Sequence, residues 1–241
     1  SFSTPQRIGN LSNWTAISTN YEGTIALNSS GNMLSWGPNN YGSVGIDPAI
    51  SRQINSPTLA TSFTNIRSVA SYYNYLITLK IDGSIYGWGN NDFGNLGDGT
   101  TISKYSNVRV GFENDWDKIY AGGSQTTFAI KTNGSLWAWG NNITGQLGIG
   151  EFGYKTTPTQ LFASEATPKP QIFAGGYSSF EIKADGTLWA WGQNTSGQLG
   201  LGNKVNQTIA TQVGTANDWL MISASSNFTI GLKKDGSLWG W

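Results

Sequence analysis

Few side chains in this 241-residue sequence could do covalent chemistry. It contains no His and no Cys, so neither a His-based triad nor a thiolate or imidazole zinc site can be assembled. Glu113, Asp115 and Asp117 form the densest group of carboxylates. A glycosidase would need two such groups facing each other across a cleft, whereas neighbours in one loop point to a solvated turn. No Asp-x-Asp-x-Asp run of calcium-loop type occurs. The tracts Gly145-Gln-Leu-Gly148 and Ala121-Gly-Gly123 lack the Lys-Ser/Thr ending and the following helix that cradle phosphate. The expectation is therefore no catalytic residue, no cofactor and no metal. What remains is contact chemistry: 11 Trp, 10 Tyr and 10 Phe among many Asn, Ser and Thr. Aromatic rings with a polar handle stack on sugar faces or anchor protein contacts. Tyr41, Phe93 and Tyr177 are the candidate contact residues.

These side chains must be held by a repeat. Five segments align: Ser30-Gly-Asn-Met-Leu-Ser-Trp36, Asp82-Gly-Ser-Ile-Tyr-Gly-Trp88, Asn133-Gly-Ser-Leu-Trp-Ala-Trp139, Asp185-Gly-Thr-Leu-Trp-Ala-Trp191 and Asp235-Gly-Ser-Leu-Trp-Gly-Trp241. Trp36, Trp88, Trp139, Trp191 and Trp241 recur every 50 to 52 residues. The Gly31, Gly83, Gly134, Gly186 and Gly236 column, mostly preceded by Asn or Asp, is a hairpin signal. After each of the first four Trp residues a loop repeats, as in Trp-Gly-Asn-Asn-Ile-Thr-Gly-Gln-Leu-Gly from Trp139. Its Asn39, Asn91, Asn142 and Asn194 column suits turn hydrogen bonds.

Period-two alternation puts Met33, Ile85, Leu136, Leu188 and Leu238 on one face of a strand. The small column Ser35, Gly87, Ala138, Ala190 and Gly240 shares that face. The invariant Trp and a second bulky column take the other face. A thin sheet with two apolar faces must be covered by its neighbours, so the units stack. No window carries a sustained 3.6-residue period with caps. The reading is all-β, repeated and radial. Expected units run around 16–66, 67–118, 119–171, 172–221 and 222–241, after a partial blade over 1–15, in one domain spanning 1–241. Since the chain opens late in one repeat and Trp241 ends mid-motif, a fragment of a longer protein is expected.

The stretch from Asp185 to Gly200, Asp-Gly-Thr-Leu-Trp-Ala-Trp-Gly-Gln-Asn-Thr-Ser-Gly-Gln-Leu-Gly, resembles the repeat of the regulator of chromosome condensation. The resemblance extends over essentially the whole chain. It implies a β-propeller of about seven four-stranded blades, of which about five are present here; a ring of five is the alternative. The family's repeats often carry a His before the hairpin turn, where this sequence has Gly23, Tyr75, Thr126, Ser178 and Phe228. The founding member promotes nucleotide exchange on a small GTPase through an insertion in one blade, and the even spacing here leaves no room for one. It also binds chromatin through basic surface, whereas 14 Lys+Arg here balance 14 Asp+Glu. With charged residues at only 12%, nucleic-acid binding is not expected, and no apolar stretch is long enough to span a membrane.

The variant of the motif is similar to bacterial and bacteriophage propellers. The expectation is a non-catalytic binding or structural propeller, extracellular or on a virion or bacterial surface. Its partners would be proteins of an assembly or surface glycans. The alternatives are a guanine-nucleotide exchange propeller and, behind it, a carbohydrate-active enzyme.

Overall fold

The computed structural model describes residues 4–21, 23–60, 63–163 and 170–241. Their strands form five antiparallel sheets, each a meander in which every strand pairs with the next in sequence. Blade 1 holds β1 (Trp14–Thr19), β2 (Thr24–Asn28), β3 (Met33–Pro38) and β4 (Gln53–Leu59). Blade 2 holds β5 (Ile66–Tyr72), β6 (Tyr75–Lys80), β7 (Ile85–Gly89) and β8 (Lys104–Val110). Blade 3 follows with β9 (Trp116–Gly122), β10 (Thr126–Lys131), β11 (Leu136–Gly140) and β12 (Lys155–Phe162). Blade 4 comprises β13 (Gln171–Gly175), β14 (Ser178–Ile182), β15 (Leu188–Gly192) and β16 (Gln207–Gln212). Blade 5 has three strands, β17 (Trp219–Ala224), β18 (Thr229–Lys233) and β19 (Leu238–Gly240).

The first strands of successive blades touch one another, β1 with β5, β5 with β9, β9 with β13 and β13 with β17. They are the inner strands of a radial array, a β-propeller arrangement. The described residues 4–13 hold no strand, and Trp14 and Thr15 open β1. Of the segment read as a partial blade over 1–15, Trp14 and Thr15 are the described residues that pair in a sheet, and residues 1–3 lie outside the described ones.

Alternation decides which neighbour each face covers. In blade 3, Leu136 and Ala138 join Phe128, Leu147, Ile172 and Trp191 in a cluster between blades 3 and 4. Trp139, on the opposite face of the same strand, is fully buried with Tyr75, Ile77 and Leu96 of blade 2. Similar clusters join blades 1 and 2 through Trp88, and blades 4 and 5 through Trp219 with Trp241 packed on them. Trp88, Trp139, Trp191 and Trp241 are thus sheltered by the blade before theirs, whereas Trp36, with no preceding blade among the described residues, is only half-buried. Fully burying such a ring contributes about 3 kcal/mol. Where no blade follows among the described residues, the apolar column is uncovered: Leu238 is 72% exposed, whereas Leu188 is fully buried.

The hairpin glycines serve this stacking as well as the turn. Gly83 has φ +80°, and a Cβ there would stand 2.0 Å from the carbonyl oxygen of Asn114, just ahead of blade 3. The same residue's carbonyl accepts the Trp116 amide at 3.2 Å. Gly31 with Ile66, and Gly186 with Trp219, repeat that bond. The Asn-Asp-Trp element thereby starts blades 3 and 5. Its charges are used locally: Lys131 lies 4.8 Å from the Trp116 ring and 4.9 Å from Trp137, and pairs with Asp115 at 3.1 Å. Lys233 repeats the arrangement with Trp219, Trp239 and Asp218. Such a cation between two rings adds about 1 kcal/mol at a partly buried site.

Candidate binding rim

Two kinds of connection share one rim of the array. The loop that leaves the third strand hydrogen-bonds the turn between the first and second strands. The Asn90 amide donates to the Asn74 carbonyl at 2.8 Å, Asn141 to Gln125 at 3.0 Å and Gln193 to Tyr177 at 2.9 Å. The hairpin turns at Gly31, Gly83, Gly134, Gly186 and Gly236, all at positive φ, join the other ends of the strands and occupy the opposite rim.

Each loop is organised by one buried asparagine. The Asn91 side chain accepts from the Leu96 amide at 2.9 Å and donates to the Thr100 carbonyl at 2.9 Å. Asn142 and Asn194 accept from Leu147 and Leu199 in the same way, and donate to the carbonyls of Glu151 and Asn203. Asn39 donates to the carbonyls of Ile46 and Ser51. An amide that both donates and accepts closes the loop on itself without help from solvent. In blade 2 the loop also carries a half-buried ion pair, Asp98 with Lys104 at 3.1 Å. Burial pushes the Asp98 carboxyl up, but hydrogen bonds from Thr100 and Lys104 outweigh it and hold its pKa below the ordinary aspartate range.

The same loops clasp the next blade. The Asn95 carbonyl accepts the Trp139 indole N–H at 3.0 Å and the Thr127 hydroxyl at 2.8 Å. The Gln146 carbonyl takes Trp191 and Ser179, both at 2.9 Å, and the Gln198 carbonyl takes Trp241 and Thr229, both at 2.8 Å. These hydroxyls carried no mark in the sequence reading. The signal was there: each stands directly across from its Trp in the hairpin register, as Thr127 does from Trp139.

The sequence candidates fall on this rim without forming one constellation. Tyr41 and Phe93 occupy equivalent positions in the loops of blades 1 and 2; Tyr41 is exposed and Phe93 half-buried. Tyr177 is in a different element, the turn between β13 and β14, near Tyr72, Tyr73, Ser124 and Gln125, which sequence reasoning passed over. At the family's His column, Tyr75 is buried and its hydroxyl donates to the Thr126 carbonyl at 2.5 Å; burial pushes this phenol's pKa well up.

The acidic group disperses. Asp115 pairs with Lys131 and Asp117 with Arg67, while the Glu113 carboxylate accepts the Phe112 amide. No group of three His, Cys, Asp or Glu placed to hold a metal occurs among the described residues. The arrangement is one of rigid loops offering neutral polar and aromatic contacts.

A radial array of four-stranded meanders, each locked to the next by a tryptophan, defines the class: a repeat β-propeller. Segments 82–130, 133–182 and 185–232 match the model of the regulator of chromosome condensation (RCC1) repeat, and 116–146 and 171–198 match a second model of that repeat. These matches take in more than half of the chain, which belongs to the RCC1 repeat family. The sequence is 27% identical over 220 residues to the ultraviolet-B receptor UVR8 of Arabidopsis thaliana, covering 90% of this chain and 50% of that protein. It is 27% identical over 195 residues to the probable E3 ubiquitin-protein ligase HERC4 of Rattus norvegicus, covering 79% of this chain and 18% of that one. The chain therefore spans half or less of these relatives. Among solved structures, human WBSCR16 superposes with a TM-score of 0.77 at 21% identity over 95% of this chain and 60% of the other. Prp20p of Saccharomyces cerevisiae, described with its binding to Gsp1p and histones, gives 0.77 at 19% identity, over 95% and 59%. Those likenesses establish the propeller fold.

Proposed function

We propose that this chain is a non-catalytic, protein-binding propeller whose recognition surface is the rim of third-strand loops. One observation carries the reading: in each loop a buried Asn fixes the backbone, while the outward positions differ from blade to blade. Tyr41 and Asn40 in blade 1 give way to Phe93 and Asp92 in blade 2 and to Thr144 and Ile143 in blade 3. Variable side chains on a rigid frame are the arrangement by which loops confer specificity. The half-exposed Tyr41 and Phe93 are the aromatic anchors, the residue type most often found at binding hot spots. A partner within a surface or virion assembly fits the exterior, which is rich in Asn, Ser, Thr and Gly and poor in charge.

The experiment places a photo-crosslinking residue at 41 or 93, and at the exposed position 234 of the opposite rim as control. Crosslinks to one defined protein are expected from the first two positions only. Tyr41→Ala with Phe93→Ala then weakens its binding about tenfold or more, which corresponds to about 1.4 kcal/mol, with unchanged melting temperature. Equal crosslinking from 234 would overturn the reading. Accelerated nucleotide release from a small GTPase would favour the exchange-factor alternative, in line with the Gsp1p binding described for Prp20p.

A further inference from the structure

The turns between first and second strands end nearest the axis, since their strands are the inner ones. Four of these turns, from blades 2 to 5, surround a depression of about 380 Å³ lined by Tyr72, Tyr73, Ser124, Gln125, Tyr177 and Ser226. This volume lies within the range of small-molecule sites.

Three features set it apart from an ordinary cluster of turns. Its side chains are all uncharged yet rich in hydroxyl and amide groups. Tyr73, Ser124 and Gln125 are held at φ of 50°, 58° and 63°, the left-handed region in which a tyrosine is seldom found. Such conformations cost about 1 to 3 kcal/mol and concentrate where a site is built. The Gln125 Oε1 atom is shielded from solvent and accepts no hydrogen bond, an unmet acceptor that gains a partner by turning out into the depression. The aromatic walls are also braced. Tyr21 packs on Tyr73 with ring centroids 5.3 Å apart, and its amide donates to the Tyr73 carbonyl at 2.9 Å.

These features select a ligand by chemistry. With no Lys or Arg in the lining, nothing neutralises a phosphate or carboxylate; with no Asp or Glu, nothing pairs a cation. A lipid chain would strand the hydroxyls and the amide. A neutral sugar satisfies both halves, since its C–H face packs on tyrosine rings and its hydroxyls donate to an amide oxygen.

We propose that this axial depression binds a neutral saccharide unit, packed on Tyr72, Tyr73 and Tyr177, with the Gln125 side chain turning outward so that its Oε1 accepts from a sugar hydroxyl. The site is separate from the loop positions 41 and 93 and does not depend on their role. Saturation-transfer NMR on the 241-residue chain, with glucose, galactose, mannose, N-acetylglucosamine and N-acetylgalactosamine each at millimolar concentration, tests it. Transfer to at least one sugar is expected. Tyr177→Ala and Gln125→Ala each weaken that binding about tenfold, while Tyr41→Ala leaves it unchanged. Gln125→Ala removes no hydrogen bond made by that side chain's oxygen, so its melting temperature should stay at the parent value and the loss cannot be assigned to unfolding. Absence of transfer to all these sugars, or transfer undiminished in both variants, overturns the proposal.

Discussion

The junction between blades 1 and 2 differs from the three that follow it. At the later junctions a loop carbonyl accepts both an indole N–H and a hydroxyl from the incoming blade. At the first, Leu76 stands across from Trp88 where the others have Thr or Ser. The Trp88 indole N–H is buried without an acceptor. The equivalent carbonyl, of Ser43, takes instead the side-chain amide of Asn20 from its own blade, at 3.1 Å. Apolar burial and the glycine-to-amide bond are common to both kinds of junction. Stacking therefore rests on buried area, and the polar clasp is an addition that fixes register. An unmet indole donor costs about 1–3 kcal/mol relative to a satisfied one.

The largest effect should come from emptying these sites. Trp139→Ala and Trp191→Ala are expected to destabilise by about 3–5 kcal/mol in chemical denaturation. Trp88→Ala should cost about 1 kcal/mol less, because it also removes an unsatisfied donor. Equal losses at all three positions would show that the clasp contributes nothing.

A smaller change isolates the hydroxyl arm. Thr127→Val keeps shape and deletes the bond to the Asn95 carbonyl, as Ser179→Ala does for Gln146. Each should lose about 1 kcal/mol by the same denaturation measurement. A value near zero would leave the indole as the sole polar tie.

Acid gives the smallest effect, and it too separates the blades. Hydrogen bonds from Ser84, Thr187 and Ser237 hold the Asp82, Asp185 and Asp235 carboxyls below the ordinary aspartate value of 3.8. A carboxyl whose pKa is depressed by folding stabilises above its unfolded value. That contribution is lost as pH falls from there through the folded one. The turns of blades 2, 4 and 5 should loosen in that acid window. In blade 1 the turn is capped by the Asn28 amide oxygen, which accepts from Ser30 and Asn32 and does not titrate. Carbon-detected titration of the three carboxyls, together with amide shifts at Gly31, distinguishes them. Midpoints at the unfolded value would contradict the assignment.

What could be read from the sequence was whatever packing imposes on every copy. The Trp column, the small column facing it and the hairpin glycines recur because each blade presents the same face to the same neighbour. The clasp hydroxyls were harder to see, since Thr and Ser are common in this chain and Leu76 breaks their column. The axial turns were hidden for the opposite reason. Tyr72-Tyr73, Ser124-Gln125 and Gly176-Tyr177 share a place but no common pattern of residues, and only the radial stacking brings them together. Tyr177 is a sequence candidate alongside Tyr41 and Phe93, but its neighbours across the depression come from other repeats. Nothing in the sequence marks Lys131 or Lys233 as lying between two indoles, a placement that depends on the next strand of the hairpin.

Indole N–H exchange tests the stacking account most directly, read in one two-dimensional NMR spectrum of the intact chain. Trp139 and Trp191, fully buried and bonded to the preceding blade, should retain their protons long after the half-exposed Trp239 has exchanged. Trp139 and Trp191 exchanging as fast as Trp239 would contradict an assembly in which each blade shelters the tryptophan of the next.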